Sequence, residues 1–164
     1  MSKAEASLKK LSSISKSLNE ASDLLSKQIL QIEAALNEYK LGVSVWFKIQ
    51  SEEVQLPCED SKGNVSYSVV HRVLFLGYGE FRGKWGLLVE EFYDEFGPPE
   101  PSEEVFLRDA SRRIRIAAME NLPELLEKLA SEATKLQEKV AQQTALAAEI
   151  AAAIRDQHSQ NGRS

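Results

Sequence analysis

The chain is poor in the residues that staple or punctuate a fold. Its 164 residues include one cysteine, Cys58, two histidines, five prolines and eight glycines. A single thiol can neither close an internal disulfide nor build a zinc site, so stability is expected to come from packing alone. No stretch approaches the roughly 18 consecutive apolar residues that span a bilayer, and the opening Met1-Ser2-Lys3-Ala4-Glu5 has no apolar signal core behind it. These absences predict a cytoplasmic protein that makes no membrane contact. With 43% hydrophobic and 27% charged residues there is enough apolar material for one ordinary domain, expected over 1–158 with a disordered tail at 159–164.

Positive charge is also scarce where a nucleic-acid binder would need it. Residues 1–41 carry six Lys/Arg and five Asp/Glu, 42–107 carry five and twelve, and 108–164 carry nine and eight, giving +1, −7 and +1 and the total of −5. Phosphate neutralisation supplies much of the affinity for nucleic acid, and the one strongly charged segment here is acidic, which argues against DNA or RNA as partner. The local exception is Arg108, Arg112, Arg113 and Arg115, four arginines within eight residues. They are candidate contacts for an anion or a protein partner, weighed against a solvated face paired with the acidic middle segment.

What the chain does have is periodicity. From Ser2 to Leu41 there is no glycine or proline, and a heptad seam holds Ala4, Leu11, Leu18, Leu25, Ile32 and Tyr39 beside Leu8, Ser15, Ser22, Ile29 and Leu36. This spacing predicts a long amphipathic helix over 2–41, about 60 Å at 1.5 Å per residue, stopped by Gly42. A matching seam runs through Met119, Leu126, Ala133, Val140, Ala147 and Ile154 beside Leu122, Leu129, Leu136, Gln143 and Ile150. It predicts a C-terminal helix over 122–158, started by Asn121 with Pro123 in its first turn and preceded by a shorter helix over 109–120.

Between the helices the period changes to two. Val43, Val45, Phe47 and Ile49 alternate with polar residues as a first strand, followed by a polar loop from Gln50 to Asn64. Tyr67 to Phe81 reads as a central strand with two apolar faces. Arg82-Gly83 is a two-residue hairpin turn, and Lys84 to Tyr93 returns as an edge strand with facing numbers summing to 165. An acidic loop from Asp94 to Glu104 leads back to the helices.

The expected fold is therefore α+β: long N- and C-terminal helices pairing as an antiparallel coiled-coil hairpin, capped by a small three-stranded antiparallel β-meander over 43–107. Facing helix residues would sum to about 161, placing Leu11 against Ile150 and Leu25 against Leu136. In layout alone this resembles prefoldin-type chaperone subunits, whose terminal helices pair as a coiled coil and whose strands assemble subunits.

Sequence chemistry for catalysis is thin. Gly77 to Lys84 lacks the Walker spacing and a following Ser or Thr, and it sits in a hairpin rather than before a helix. His71 faces Asp94 in the hairpin register, but no nucleophile accompanies them, and Cys58 has no activating neighbour in sequence. Glu90, Glu91, Asp94, Glu95, Glu100, Glu103 and Glu104 lack the spacing of a calcium loop. No catalytic residue, cofactor or metal is expected. Trp46, on the polar side of its strand, and Trp85 are candidate partner contacts. The sequence thus points to a non-enzymatic interaction or scaffold protein that binds itself or another protein through helical faces. An anion-binding regulator built on the arginines is the alternative, and an enzyme ranks last.

Overall fold

A computed structural model describes residues 3–94 and 103–161 of the chain. The fold is α+β, with α1 (Lys3–Glu38), β1 (Val45–Glu59), β2 (Val65–Phe81), β3 (Lys84–Asp94), β4 (Glu103–Phe106), a 3-10 turn (Leu107–Asp109), α2 (Arg112–Glu120) and α3 (Leu122–Asn161). The sheet is antiparallel with order β1-β2-β3-β4. It is four-stranded, not three-stranded: Leu88 pairs with Phe106 and Glu91 with Glu103, so β3 is an inner strand and part of the expected acidic loop is β4. Glu95 and Glu100 of that loop lie outside the described residues.

The β2–β3 turn is as the sequence spells it. Arg82 and Gly83 take φ of 52° and 75°, the left-handed pair that matches strand twist in a two-residue hairpin, and Phe81 pairs with Lys84. The expected loop from Gln50 is instead strand as far as Glu59. Val54 and Leu56 alternate with polar neighbours, and Pro57 is accommodated because β1 is an edge strand whose outer amides need no ladder partner. The true turn is shorter, Asp60 to Asn64, where the Asp60 carboxylate accepts from the Lys62 and Asn64 amides at 2.8 and 2.9 Å.

One sheet face carries the core. Val45, Tyr78 and Leu87 form one cross-strand row and Phe47, Leu76 and Val89 the next. Against them pack Ile29 and Leu36 of α1, Ile114 and Ala118 of α2, and Leu122, Leu125 and Leu129 of α3. On the other face Trp46, Gly77, Leu88 and Phe106 stand in one row. Gly77 leaves the room that the Trp46 ring fills, since a Cβ there would lie 2.4 Å from Trp46 Cδ2. Phe106 in turn meets Phe81 edge-on, with ring centres 5.4 Å apart.

The helices depart from the expected hairpin. Asn19 of α1 accepts from Arg112 of α2, whereas Asn37 donates to the Trp85 carbonyl beside the β2–β3 turn. α3 leaves α2 at Asn121, its Lys128 lies over the Phe47 ring, and Lys128 to Lys135 border the same recess as Ser44, Val45 and Trp46. Both long helices therefore travel from the α2 end of the sheet toward the β2–β3 turn, in the same sense. An antiparallel pairing inside one chain would require opposite senses, so Leu11 does not meet Ile150 and Leu25 does not meet Leu136.

Helix ends are also shifted. α1 stops at Glu38, and Lys40 and Gly42 follow in the left-handed region at φ 49° and 66°. The piece expected at 109–120 is a 3-10 turn and then α2, capped by the Ser111 hydroxyl, which accepts from the Ile114 amide. Asn121 ends α2 by donating its side-chain amide to the Ala117 carbonyl, and Pro123 falls in the first turn of α3, where no amide is missed. α3 runs on to Asn161, through part of the expected disordered tail; residues 162–164 lie outside the described residues. Among the described residues no helix is long and apolar enough to cross a membrane.

Candidate functional site

The two long helices pack on the sheet over only part of their lengths. The buried stripe of α1 is Ser22, Ile29, Glu33 and Leu36, and that of α3 is Leu122, Leu125 and Leu129. From Lys3 to Ala21, and from Thr134 onward wherever side chains are described, every residue is exposed. The seam continues through these arms nonetheless. Leu11 is 61% exposed and Ile150 52%, and Leu8, Leu18, Val140 and Ile154 are likewise open to solvent. At 1.5 Å per residue the arms reach roughly 28 and 42 Å. Because both helices run in one sense, the free part of α1 lies before its packed stretch and that of α3 after it, so the arms leave opposite ends of the body. An apolar groove of about 470 Å³ runs along the α3 arm, bordered by Leu136, Val140, Gln143 and Ala147.

The arginine cluster is dispersed among contacts within the chain. Arg113 bonds Glu91 at 2.8 Å and lies 3.5 Å from Glu52, while Arg72 pairs with Glu52 and sits 3.7 Å from Glu91. The alternating square of two cations and two carboxylates ties α2 to β1, β2 and β3. The Arg72 hydrogen bond holds the Glu52 carboxyl below the usual carboxylate range. Arg115 bonds the Ser22 hydroxyl at 2.7 Å and also the Ser26 hydroxyl, so short side chains on α1 admit the guanidinium. Arg112 reaches Asn19, and Arg108 bonds Glu33 at 2.7 Å while lying over the Phe106 ring. Arg108 alone of the four also lines a recess at the end of α1.

The tryptophans take different roles. Trp46 spreads over Gly77 on the sheet face opposite the core, keeps 36% of its surface exposed and borders a recess shared with Lys128 to Lys135 of α3. Trp85 packs at the edge of the core beside Tyr78, ring centres 5.6 Å apart. His71 pairs with Asp94 in the backbone register, but its Nε2 lies 3.9 Å from Glu53 on the exposed surface. The Cys58 thiol meets the Ser68 hydroxyl at 3.1 Å, also exposed. Among the described residues no three His, Cys, Asp or Glu side chains gather where a metal ion could be held.

Two features escape sequence reasoning. Glu33 is 3% exposed on α1, and the recess at the end of that helix draws its walls from four separate segments. Glu33 carries one weak signal, a charged residue on the buried stripe of an amphipathic helix; the recess carries none. In comparison with known proteins the chain matches no family model, no curated protein and no solved structure.

Proposed function

We propose that this chain is a non-enzymatic interaction protein that self-associates through its helical arms. The observation that carries the reading is the exposed heptad seam on both arms. Isolated helices are marginal in water, and a seam of leucine and isoleucine left wet gives up the burial that would stabilise it. The opposite projection of the arms makes a second copy a fitting cover. A two-fold rotation that sets two bodies side by side lays the α1 arm of one copy along the α3 arm of the other, running antiparallel, and the same operation makes the second pair. The register in which residue numbers sum to about 161 then places Leu11 against Ile150 and Ile14 against Ala147 across chains. Leu18 falls against Gln143, and such a polar seam position fixes register at some cost in burial.

Sedimentation equilibrium over the micromolar range should give twice the 18.3 kDa chain mass. A triple variant, Cys58→Ser/Leu11→Cys/Ile150→Cys, should oxidise to a covalent dimer. A species of single-chain mass throughout, or a disulfide closing within one chain, overturns the proposal.

A further inference from the structure

The recess at the end of α1 is separate from both arms, and it has the make-up of a ligand site. Its volume is about 580 Å³, within the range of small-molecule pockets. Lys40, Lys84 and Arg108 contribute three cations to its lining, with no carboxylate among the lining residues, in a chain whose net charge is −5. Arg108 is anchored by Glu33, whereas no carboxylate among the described residues pairs with Lys40 or Lys84. Two ammonium groups are thus left for an outside partner.

The apolar wall is held in place. Asn37 accepts from the Tyr78 hydroxyl at 2.7 Å and donates to the Trp85 carbonyl at 3.0 Å, so one side chain fixes both aromatic residues. The hydroxyl, having given its proton to Asn37, keeps oxygen lone pairs that can accept from a ligand. Lys40 sits at φ 49°, the left-handed conformation in which helices commonly end, and its amide donates to the Asn37 carbonyl, so the chain turns at the rim of the recess.

We infer that this recess binds a small organic anion with a flat unsaturated body, the ring resting on the half-buried Trp85, which the buried Tyr78 backs, and a phosphate or carboxylate held among Lys40, Lys84 and Arg108. Rings and planar groups stack on an indole face, and charge-assisted hydrogen bonds from the cations at one end set the orientation. The inference is independent of self-association, since none of these residues lies on an arm.

The test uses the full chain and two probes of matched logic, adenosine 5′-monophosphate and 2-naphthoate, with adenosine, naphthalene-methanol and inorganic phosphate as partial probes. Isothermal titration of the unmodified protein should give saturable binding of at least one whole probe, and every partial probe should bind at least tenfold more weakly. Trp46→Phe leaves Trp85 as the sole indole, whose fluorescence should follow the same isotherm. Lys40→Ala/Lys84→Ala should weaken binding at least tenfold with an unchanged melting temperature, while Lys9→Ala/Lys10→Ala, on the α1 arm, should leave it as it was. Binding of either whole probe supports the inference, and a preference between them reflects ring and anion together. No saturable heat with either whole probe up to millimolar concentration, or equal binding by the Lys40/Lys84 variant, overturns the inference.

Discussion

Glu33 completes the sheet edge that β4 leaves open at Leu87. Its Oε1 accepts from the Leu87 amide at 3.1 Å, beyond the point where β4 ends, and its Oε2 accepts from Arg108 at 2.7 Å. A carboxylate from a helix thus does the work of one more strand residue, and it docks α1 on the sheet while fixing the arginine that borders the recess.

Removing that carboxylate strands an amide and a guanidinium at once. Glu33→Ala should cost about 2–3 kcal/mol by urea denaturation, and Glu33→Gln, which keeps one acceptor, about half as much. Arg108 is partly exposed and regains water, which holds the loss at the lower end of what a broken buried pair costs. A change below about 0.5 kcal/mol in Glu33→Ala would contradict this role.

Gly77 and Trp46 are coupled by space alone. A methyl at 77 must displace an indole that bridges to the edge strand, so Gly77→Ala should destabilise by about 1–3 kcal/mol. In a Trp46→Ala background the same substitution should cost markedly less, with a coupling of about 1 kcal/mol or more in the double-mutant cycle. Gly83→Ala separates the two ways a glycine matters: nothing lies within 4 Å of its Cβ position, so its loss of about 1 kcal/mol comes from φ 75° alone, whatever stands at 46.

Local signals were legible where one segment decided the outcome. Arg82-Gly83 placed a turn, the alternation on β2 placed a central strand, and the seams placed two long helices. Signals failed where a distant segment decided. Gln50 to Glu59 looks like loop because Pro57 and three acids discourage strand, yet pairing with β2 makes it one. Glu103 to Phe106 is too short and acidic to announce itself and is recruited by β3. A heptad shows that a helix face wants a partner but not which chain supplies it, and packing of Ile29 and Leu129 on a shared sheet aligned the helices in one sense. The arginines were visible, but the carboxylates and serines that hold them lie up to 93 residues away.

Two carboxyls give opposite pH signatures. Glu52 is held low by its hydrogen bond to Arg72, so its contribution is present above the ordinary carboxylate range and lost as pH falls through its lowered value. Glu104 is pushed up by burial and by Glu90, its cross-strand partner, so its cost appears as pH rises from the ordinary range through the raised value. Glu104→Gln should therefore stabilise the fold at pH 7 by about 0.5 kcal/mol, as expected for relief of like charges directly opposite, and the gain should vanish near pH 3. Glu52→Gln should destabilise at pH 7, and that difference should outlast the Glu104 effect on acidification, closing only as pH falls through the lowered Glu52 value. Urea titrations at the two pH values check both signs.

Arms that are helical only when covered should lose helix on dilution. Ellipticity at 222 nm should fall as concentration drops through the association range, while the near-ultraviolet signal of Trp85, set in the body beside Tyr78, should stay constant. Leu11→Glu places a charge on the seam and should shift that transition to at least tenfold higher concentration, since one mispaired seam position in a two-fold dimer is felt twice. Leu24→Glu is the control: Leu24 is also an exposed α1 leucine, but it lies beyond the arm and off both seam positions. It should leave the dilution midpoint within about twofold of the parent. Equal shifts in the two variants would mean that α1 makes apolar contacts without using the heptad seam.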